Sequence, residues 1–253
     1  MKINFVEPNE IRVNPDAIIN NKNIGEKNHP LIVVDDFLLN PDQLVNDYTR
    51  HIPVALNTLN SESVIPGWYG ELPHRFIEID TSINHLIHLF TDITLSDKEI
   101  NTFSWSYQLN VLAGGVQCAR KSVQPHVDPA MFAWVLYLNP EEECKGGTSF
   151  YRHSEAGDMN LEYVERSWKR TTEYWKYKEW QFEKIRNHEN EYVDLDVNSM
   201  DDSWEEYHFV NMKYNRLVLY PSYIFHSAQI KKDWFVEYPR VSISGFIKSS
   251  YFT

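Results

Sequence analysis

From Phe103 onward the chain breaks into short segments, "FSWSYQLNVLAGG", "FAWVLYLN", "GGTSFYRH", "NRLVLYPS" and "RVSISGFI", each bounded by Gly, Pro or Asn. Short strands closed by turn residues at this spacing describe an antiparallel sandwich or barrel. Residues 154–208 interrupt the pattern and are too long for a hairpin loop. Within them Leu161, Val164, Trp168, Trp175, Phe182 and Ile185 fall on one helical stripe, with Thr171 and Lys178 as polar gaps. The stretch reads as a helical insertion packed on the β-core. Its tail, residues 191–206, carries seven acids and no Lys or Arg, a solvated loop.

The first half has a different texture. In "HPLIVVDDFLLNPDQLVNDYTRH" residues 31–34 read as a buried strand, and a helix starts after Leu39. Asn40 suits the N-cap, Pro41 the first helical position, and Gln43 completes a capping-box pattern. "IPGWYGELP" reads as a loop carrying exposed aromatics, because Pro66-Gly67 and Pro73 punctuate it. "TSINHLIHLFTDIT" reads as a short helix. His85 and His88 share a face there, but no third ligand sits nearby, which favours ordinary half-buried histidines over a metal pair.

A chain of 253 residues, 42% hydrophobic, can bury one sizeable core. We expect one elaborated domain over 1–253: a strand-and-helix support at 31–100, a β-core at 103–153 and 209–248, and the insertion at 154–208. No run approaches the roughly 18 apolar residues of a membrane span, and "MKINFVEPNE" lacks the apolar run of a signal peptide. With only Cys118 and Cys144, far apart, no disulfide framework is indicated, and a reducing cytoplasm is the expected location. A formal charge of −12 opposes a phosphate backbone, so neither nucleic acid nor membrane is expected as a partner.

"PHVDPAMFAWVLYLN" places His126 and Asp128 two residues apart at the head of a strand. Side chains alternate along a strand, so both point the same way. Imidazole and carboxylate together suit a borderline metal such as iron, and His226 of "YPSYIFHSA" would complete a facial triad with open positions. "PRVSISGFI" follows, with Arg240, Ser242 and Ser244 on one face and Val241 and Ile243 on the other. An arginine on a barrel's inner face needs an anion. Each piece also has a plainer reading: a surface His–Asp pair, a satisfied core histidine, the solvent face of an edge strand. The joint order is what favours a site.

That order resembles the Fe(II)/2-oxoglutarate-dependent dioxygenases, in their prolyl-4-hydroxylase-like branch. The matching elements are His-x-Asp, "YLN", Gly-Gly before an aromatic, a distal His and then Arg-x-Ser, over residues 107–247. "IVVDDFLLNPDQL", "GGTSFYRH" and "YNRLVLYPSYIFHSA" are also similar to a bacterial and phage subgroup, which names no substrate. The resemblance implies a mainly β fold with flanking helices: a double-stranded β-helix, or jelly roll, holding a long helical insertion. It implies His126, Asp128 and His226 as iron ligands. Arg240 would bind the distal carboxylate of 2-oxoglutarate, helped by Ser242 and Tyr137. Ascorbate would be a supporting reductant.

The implied reaction is hydroxylation of a small molecule, amino acid or peptide side chain, and residues 154–208 would cover the barrel mouth. Asp128 disfavours halogenation, since family halogenases have a small residue there. A single arginine after Arg216 disfavours nucleic-acid dealkylation. The rivals are a non-catalytic jelly-roll binding module and a cupin-type metal isomerase or hydrolase. The sequence is silent on oligomeric state.

Overall fold

A computed structural model of the chain describes residues 10–51, 55–56, 68–71, 76–91, 105–112, 118–119, 125–128, 130–158, 192–193, 202–231, 234–235 and 237–247. Thirteen strands and two α-helices lie among them. In chain order they are β1 (Ile18–Ile24), β2 (His29–Asp35), α1 (Pro41–His51), β3 (Ala55–Leu56), β4 (Trp68–Glu71), α2 (Ile77–Phe90), β5 (Trp105–Leu112) and β6 (Cys118–Ala119). There follow β7 (Phe132–Tyr137), β8 (Gly147–His153), β9 (Tyr192–Val193), β10 (Trp204–Asn211), β11 (Leu217–Pro221), β12 (His226–Gln229) and β13 (Arg240–Ile247). The fold is mainly β. An eight-stranded antiparallel sheet has the order β1-β2-β11-β7-β13-β5-β4-β3, a three-stranded antiparallel sheet the order β10-β8-β12, and β6 pairs with β9.

The central strands of the large sheet are apolar on both faces because both faces are covered. Ile32, Val34, Phe132, Trp134, Leu136, Leu217, Leu219, Val241 and Ile243 form one core with helix residues Leu44, Ile79, Ile83, Leu86 and Ile87. The last four recur at helical spacing, which explains why a short helix can dock there. On the opposite face Leu31, Val33, Ala133, Val135, Tyr137, Val218 and Tyr220 pack with Phe150 and Val210 of the small sheet. The layers are therefore helices, large sheet and small sheet, with the second core between the sheets. Gly245 is dictated by the first core: a Cβ there would lie 2.4 Å from the indole of buried Trp134.

Several expectations are corrected. Residues 68–71, read as a loop, form β4 and pair with β5. Trp and Tyr favour strands, and the flanking Pro and Gly bound the strand rather than abolish it. Residues 204–208, read as the end of the insertion, belong to β10, which pairs with β8 across a bulge between Glu206 and His208. Their exposed acids belong to the outward edge of a strand, not to a loop. Residues 159–191, with the aromatic stripe, lie outside the described residues.

The edge strand β1, rich in Asn and exposed, carries no apolar alternation and was not legible. The start of α1 falls at Pro41 as expected, with Asn40 also tying the helix to the preceding chain through Glu10 and Arg12. His85 and His88 are exposed on α2 rather than half-buried. No described helix is long and apolar enough to cross a membrane.

Candidate metal centre and anion pocket

Two chain segments converge where the sheets meet. The backbones of His126 and His226 exchange two hydrogen bonds of 3.0 Å each, an isolated antiparallel bridge that sets the two residues opposite one another. Asp128 N–H donates to the Ser222 carbonyl at 2.9 Å, and Ser222 N–H to that of Met131 at 3.1 Å. The Ser222 hydroxyl also donates to the Ala130 carbonyl. The Pro-Ser turn before His226 thus clamps the segment that carries Asp128. One donor atom from each of His126, Asp128 and His226 lies within 4.8 Å of the other two.

His226 is buried, and its Nδ1 faces the Ile224 carbonyl at 2.9 Å. A carbonyl only accepts, so Nδ1 carries a proton and Nε2 is the nitrogen turned to Asp128. That Nε2 lies 3.1 Å from Asp128 Oδ2. A proton or a metal ion between the two atoms makes this contact favourable. Donors about 2.1 Å from one ion and at right angles are separated by about 3.0 Å, so the spacing suits adjacent ligands of a single metal. The His126 ring sits 4.7 Å from the His226 ring, centroid to centroid.

The second half of the site is an arginine. Arg240 is buried on the inter-sheet face, its Cζ 5.4 Å from the Tyr137 ring centroid. Its Nη1 donates to Ser242 Oγ at 3.0 Å, and its Nε has no partner among the described residues. No described Asp or Glu pairs with it, and the Tyr137 hydroxyl lies within its hydrogen-bonding reach. Burial pulls the guanidinium below its usual range. A buried charge with no counter-ion among the described residues costs several kcal/mol, which a bound anion would offset. Tyr137 is also sealed in, and its hydroxyl shares a 2.6 Å hydrogen bond with Thr148.

Strand register relates the two halves. Ser242 pairs with Tyr137, Ser244 with Val135 and Phe246 with Ala133, while β11 sets Val218 beside Val135 and Tyr220 beside Ala133. The inner face therefore has Arg240, Ser242 and Tyr137 at one end and Tyr220 at the other, with Val135, Val218 and Ser244 between. Tyr220 stands edge-on to His226, ring centroids 4.7 Å apart, and to Phe150 at 5.1 Å. Burial, then the charge of Asp128, pushes its phenol well above the usual range.

His126, Asp128 and His226 are thus brought together, and Arg240 meets Ser242 and Tyr137. Tyr220 was not singled out from the sequence. Its signal was available: in "RLVLYP" it is the polar aromatic on the inward phase of the alternation.

Among known proteins, a model described as a family of unknown function (DUF6445) matches residues 15–240. No curated protein matches the chain. Among solved structures, a prolyl-4-hydroxylase from Pseudomonas putida is similar at 13% identity and a TM-score of 0.45, over 88% of this chain and 94% of that one. A prolyl 4-hydroxylase from Phytophthora capsici is similar at 13% identity and a TM-score of 0.40, over 87% of this chain and 59% of that one.

Proposed function

The chain belongs to the DUF6445 family, whose description assigns no activity, and from its own residues we propose that it is an Fe(II)- and 2-oxoglutarate-dependent oxygenase. The observation that carries this reading is Arg240, buried without a carboxylate on the same inter-sheet face that holds the His126, Asp128 and His226 cluster. A metal alone would account for the cluster. An organic anion that reaches from the metal to Arg240 accounts for both.

The architecture supports the same reading. β7, β11 and β13 lie in the large sheet, β8, β10 and β12 in the small one, so the chain passes repeatedly between the two sheets. The His126–His226 bridge adds a fourth segment to the small sheet. We read this as a double-stranded β-helix with its site between the sheets.

In this assignment His126, Asp128 and His226 would hold the iron. The donor set fits, because Nε2 of His226 and Oδ2 of Asp128 lie 3.1 Å apart, as two ligands of one ion would, with Nδ1 of His226 turned to the Ile224 carbonyl. Arg240 holds the distal carboxylate through its planar fork, as lysine could not, and Ser242 and Tyr137 fix the guanidinium in place. When bound, iron and 2-oxoglutarate supply the oxidation, in which 2-oxoglutarate and oxygen become succinate and carbon dioxide as a substrate C–H bond is hydroxylated. The protein orients the oxo-acid, keeps bulk water from the inter-sheet core and holds the proton on Nδ1 of His226.

The substrate class is a small molecule, amino acid or peptide side chain. A metal isomerase or hydrolase on the same barrel would have no use for Arg240. The test is anaerobic titration of the Fe(II) protein with 2-oxoglutarate, which should raise a metal-to-ligand absorption band, followed by succinate release on admitting oxygen. Absence of both overturns the assignment.

A further inference from the structure

A second arginine stands beyond the His126, Asp128 and His226 cluster, on the side away from Arg240. Along β8, Thr148 reaches Tyr137 and Phe150 reaches Tyr220, so by strand alternation Arg152 faces the same inter-sheet space. His226 is the register partner of Phe150, which sets Arg152 two residues, about 7 Å, further along. Arg240 lies at the Tyr137 end of that space. The cluster is therefore bracketed by two guanidinium groups.

Arg152 is held through one nitrogen. Its Nη1 lies 3.1 Å from Glu26, in the turn between β1 and β2, and 3.6 Å from Glu205, its pairing partner on β10. Both glutamate side chains are more than half exposed. The Nε atom is buried without a hydrogen-bond partner, and no described residue pairs with Nη2. Nε and Nη2 together form an edge that meets a carboxylate with two parallel hydrogen bonds. The glutamates thus steady the guanidinium and leave that edge unused. A further donor stands beside it. The bulge in β10 falls at Tyr207, whose ring centroid is 6.0 Å from Arg152 Cζ and whose hydroxyl is buried without a hydrogen-bond partner.

The charges around this edge select the ligand. Asp158 closes the group, its Oδ2 accepting from Glu26 N–H at 2.7 Å, so Arg152 is one cation beside three carboxylates. A ligand carrying only negative charge would meet that surplus. A zwitterion brings a carboxylate for the free edge and a cation for the surplus. An α-amino acid carries both on one carbon, and its side chain can extend toward the metal ligands. A residue inside a peptide chain has neither charge on its backbone.

We propose that the substrate is a free α-amino acid, its carboxylate on the Nε–Nη2 edge of Arg152 beside the Tyr207 hydroxyl and its ammonium among the surrounding carboxylates. The inference rests on the oxygenase reading above and narrows its substrate. It makes Arg152 the residue that sets specificity, as Arg240 sets the choice of oxo-acid.

The test is calorimetric titration of the proteinogenic L-amino acids, with their amides and N-acetyl forms, into anaerobic Mn(II)-loaded protein saturated with 2-oxoglutarate. At least one free amino acid should bind, and masking either of its charges should weaken it about tenfold or more. In Arg152→Gln the preference for acid over amide should vanish while the preference for the free amine stays. Arg152→Lys should recover only part of it. Mn(II) and 2-oxoglutarate affinities should be the same in all three proteins. If the unaltered chain binds 2-oxoglutarate but no amino acid, or if Arg152→Gln keeps the acid preference, the substrate assignment is wrong and the oxygenase reading stands. Equal binding of free and doubly masked forms would point to a peptide and overturn the zwitterion. Loss of Mn(II) or 2-oxoglutarate affinity in Arg152→Gln would make the residue structural. Amino-acid binding without any 2-oxoglutarate binding would keep the Arg152 site and sink the oxygenase reading.

Discussion

His226 Nε2 and Asp128 Oδ2 face each other at 3.1 Å, and the Ile224 carbonyl accepts from the ring's other nitrogen. A proton satisfies the contact in the metal-free protein, and a metal ion can take its place. Asp128→Asn should therefore have opposite effects in two conditions. In metal-free protein the amide donates to Nε2, and the melting temperature should hold or rise. With Mn(II) the variant should bind at least about a hundredfold more weakly and lose the metal-induced rise in melting temperature. Thermal melts with and without metal read both effects.

Arg240 gives the second prediction. Arg240→Ala keeps the metal donors and removes a charge-assisted contact, so 2-oxoglutarate affinity should fall roughly ten- to a hundredfold, with Mn(II) affinity unchanged. Arg240→Lys should recover only part of the loss, since an ammonium cannot present the fork that Ser242 and Tyr137 hold in plane. Equal affinity in all three proteins would mean that the anion binds elsewhere.

The triad and the Arg-x-Ser strand were legible because their chemistry is local: two residues on one strand phase, and polar side chains alternating with Val241 and Ile243. Tyr220 was not singled out, because its inward phase can be read from "RLVLYP" but its meeting with His226 and Phe150 requires the opposing sheet. The strand β4 was hidden by its bounding Pro and Gly, and residues 204–208 by their two glutamates, which look like loop in sequence but line the exposed side of β10. Patterns of period two reveal strands whose two faces differ. They say little about edges that are wet on both sides.

A third prediction concerns the tie between β2 and the turn before β11. The Asp35 carboxylate accepts from Arg216 Nε at 2.5 Å and Nη2 at 2.9 Å, and from Lys213 Nζ at 3.1 Å. The Arg216 hydrogen bonds, ahead of the opposing effect of burial, hold the carboxyl below its usual range. Asp35→Asn leaves both cations half-buried and should cost about 3 kcal/mol in urea denaturation at pH 7. A depressed carboxyl contributes above its unfolded value, near pH 4, and its contribution is lost as pH falls through the folded one. The gap between variant and parent should close in strong acid.

The fourth prediction is acid sensitivity. His29 is buried beside Asp158, and desolvation lowers its pKa despite that carboxylate. The unfolded chain takes up a proton near pH 6.5 that the folded chain accepts only at lower pH, so stability is intact above that range and falls as pH drops through it. His29→Gln, neutral throughout, should flatten the fall in denaturation midpoint between pH 7.5 and 5.5. An unchanged slope would place the acid sensitivity elsewhere.

The mutual backbone bridge between His126 and His226 also bears on how the protein reaches its native state. Asp128 and His226 are separated by 98 residues of chain, and their clamp through Ser222 exists only once both sheets are in place. Closing so long a loop carries its full entropy before any ligand pair can form. A metal ion then arrives at a finished site and cannot serve as a folding nucleus. Its effect should fall on the rate of unfolding, which it slows, and leave the rate of folding unchanged.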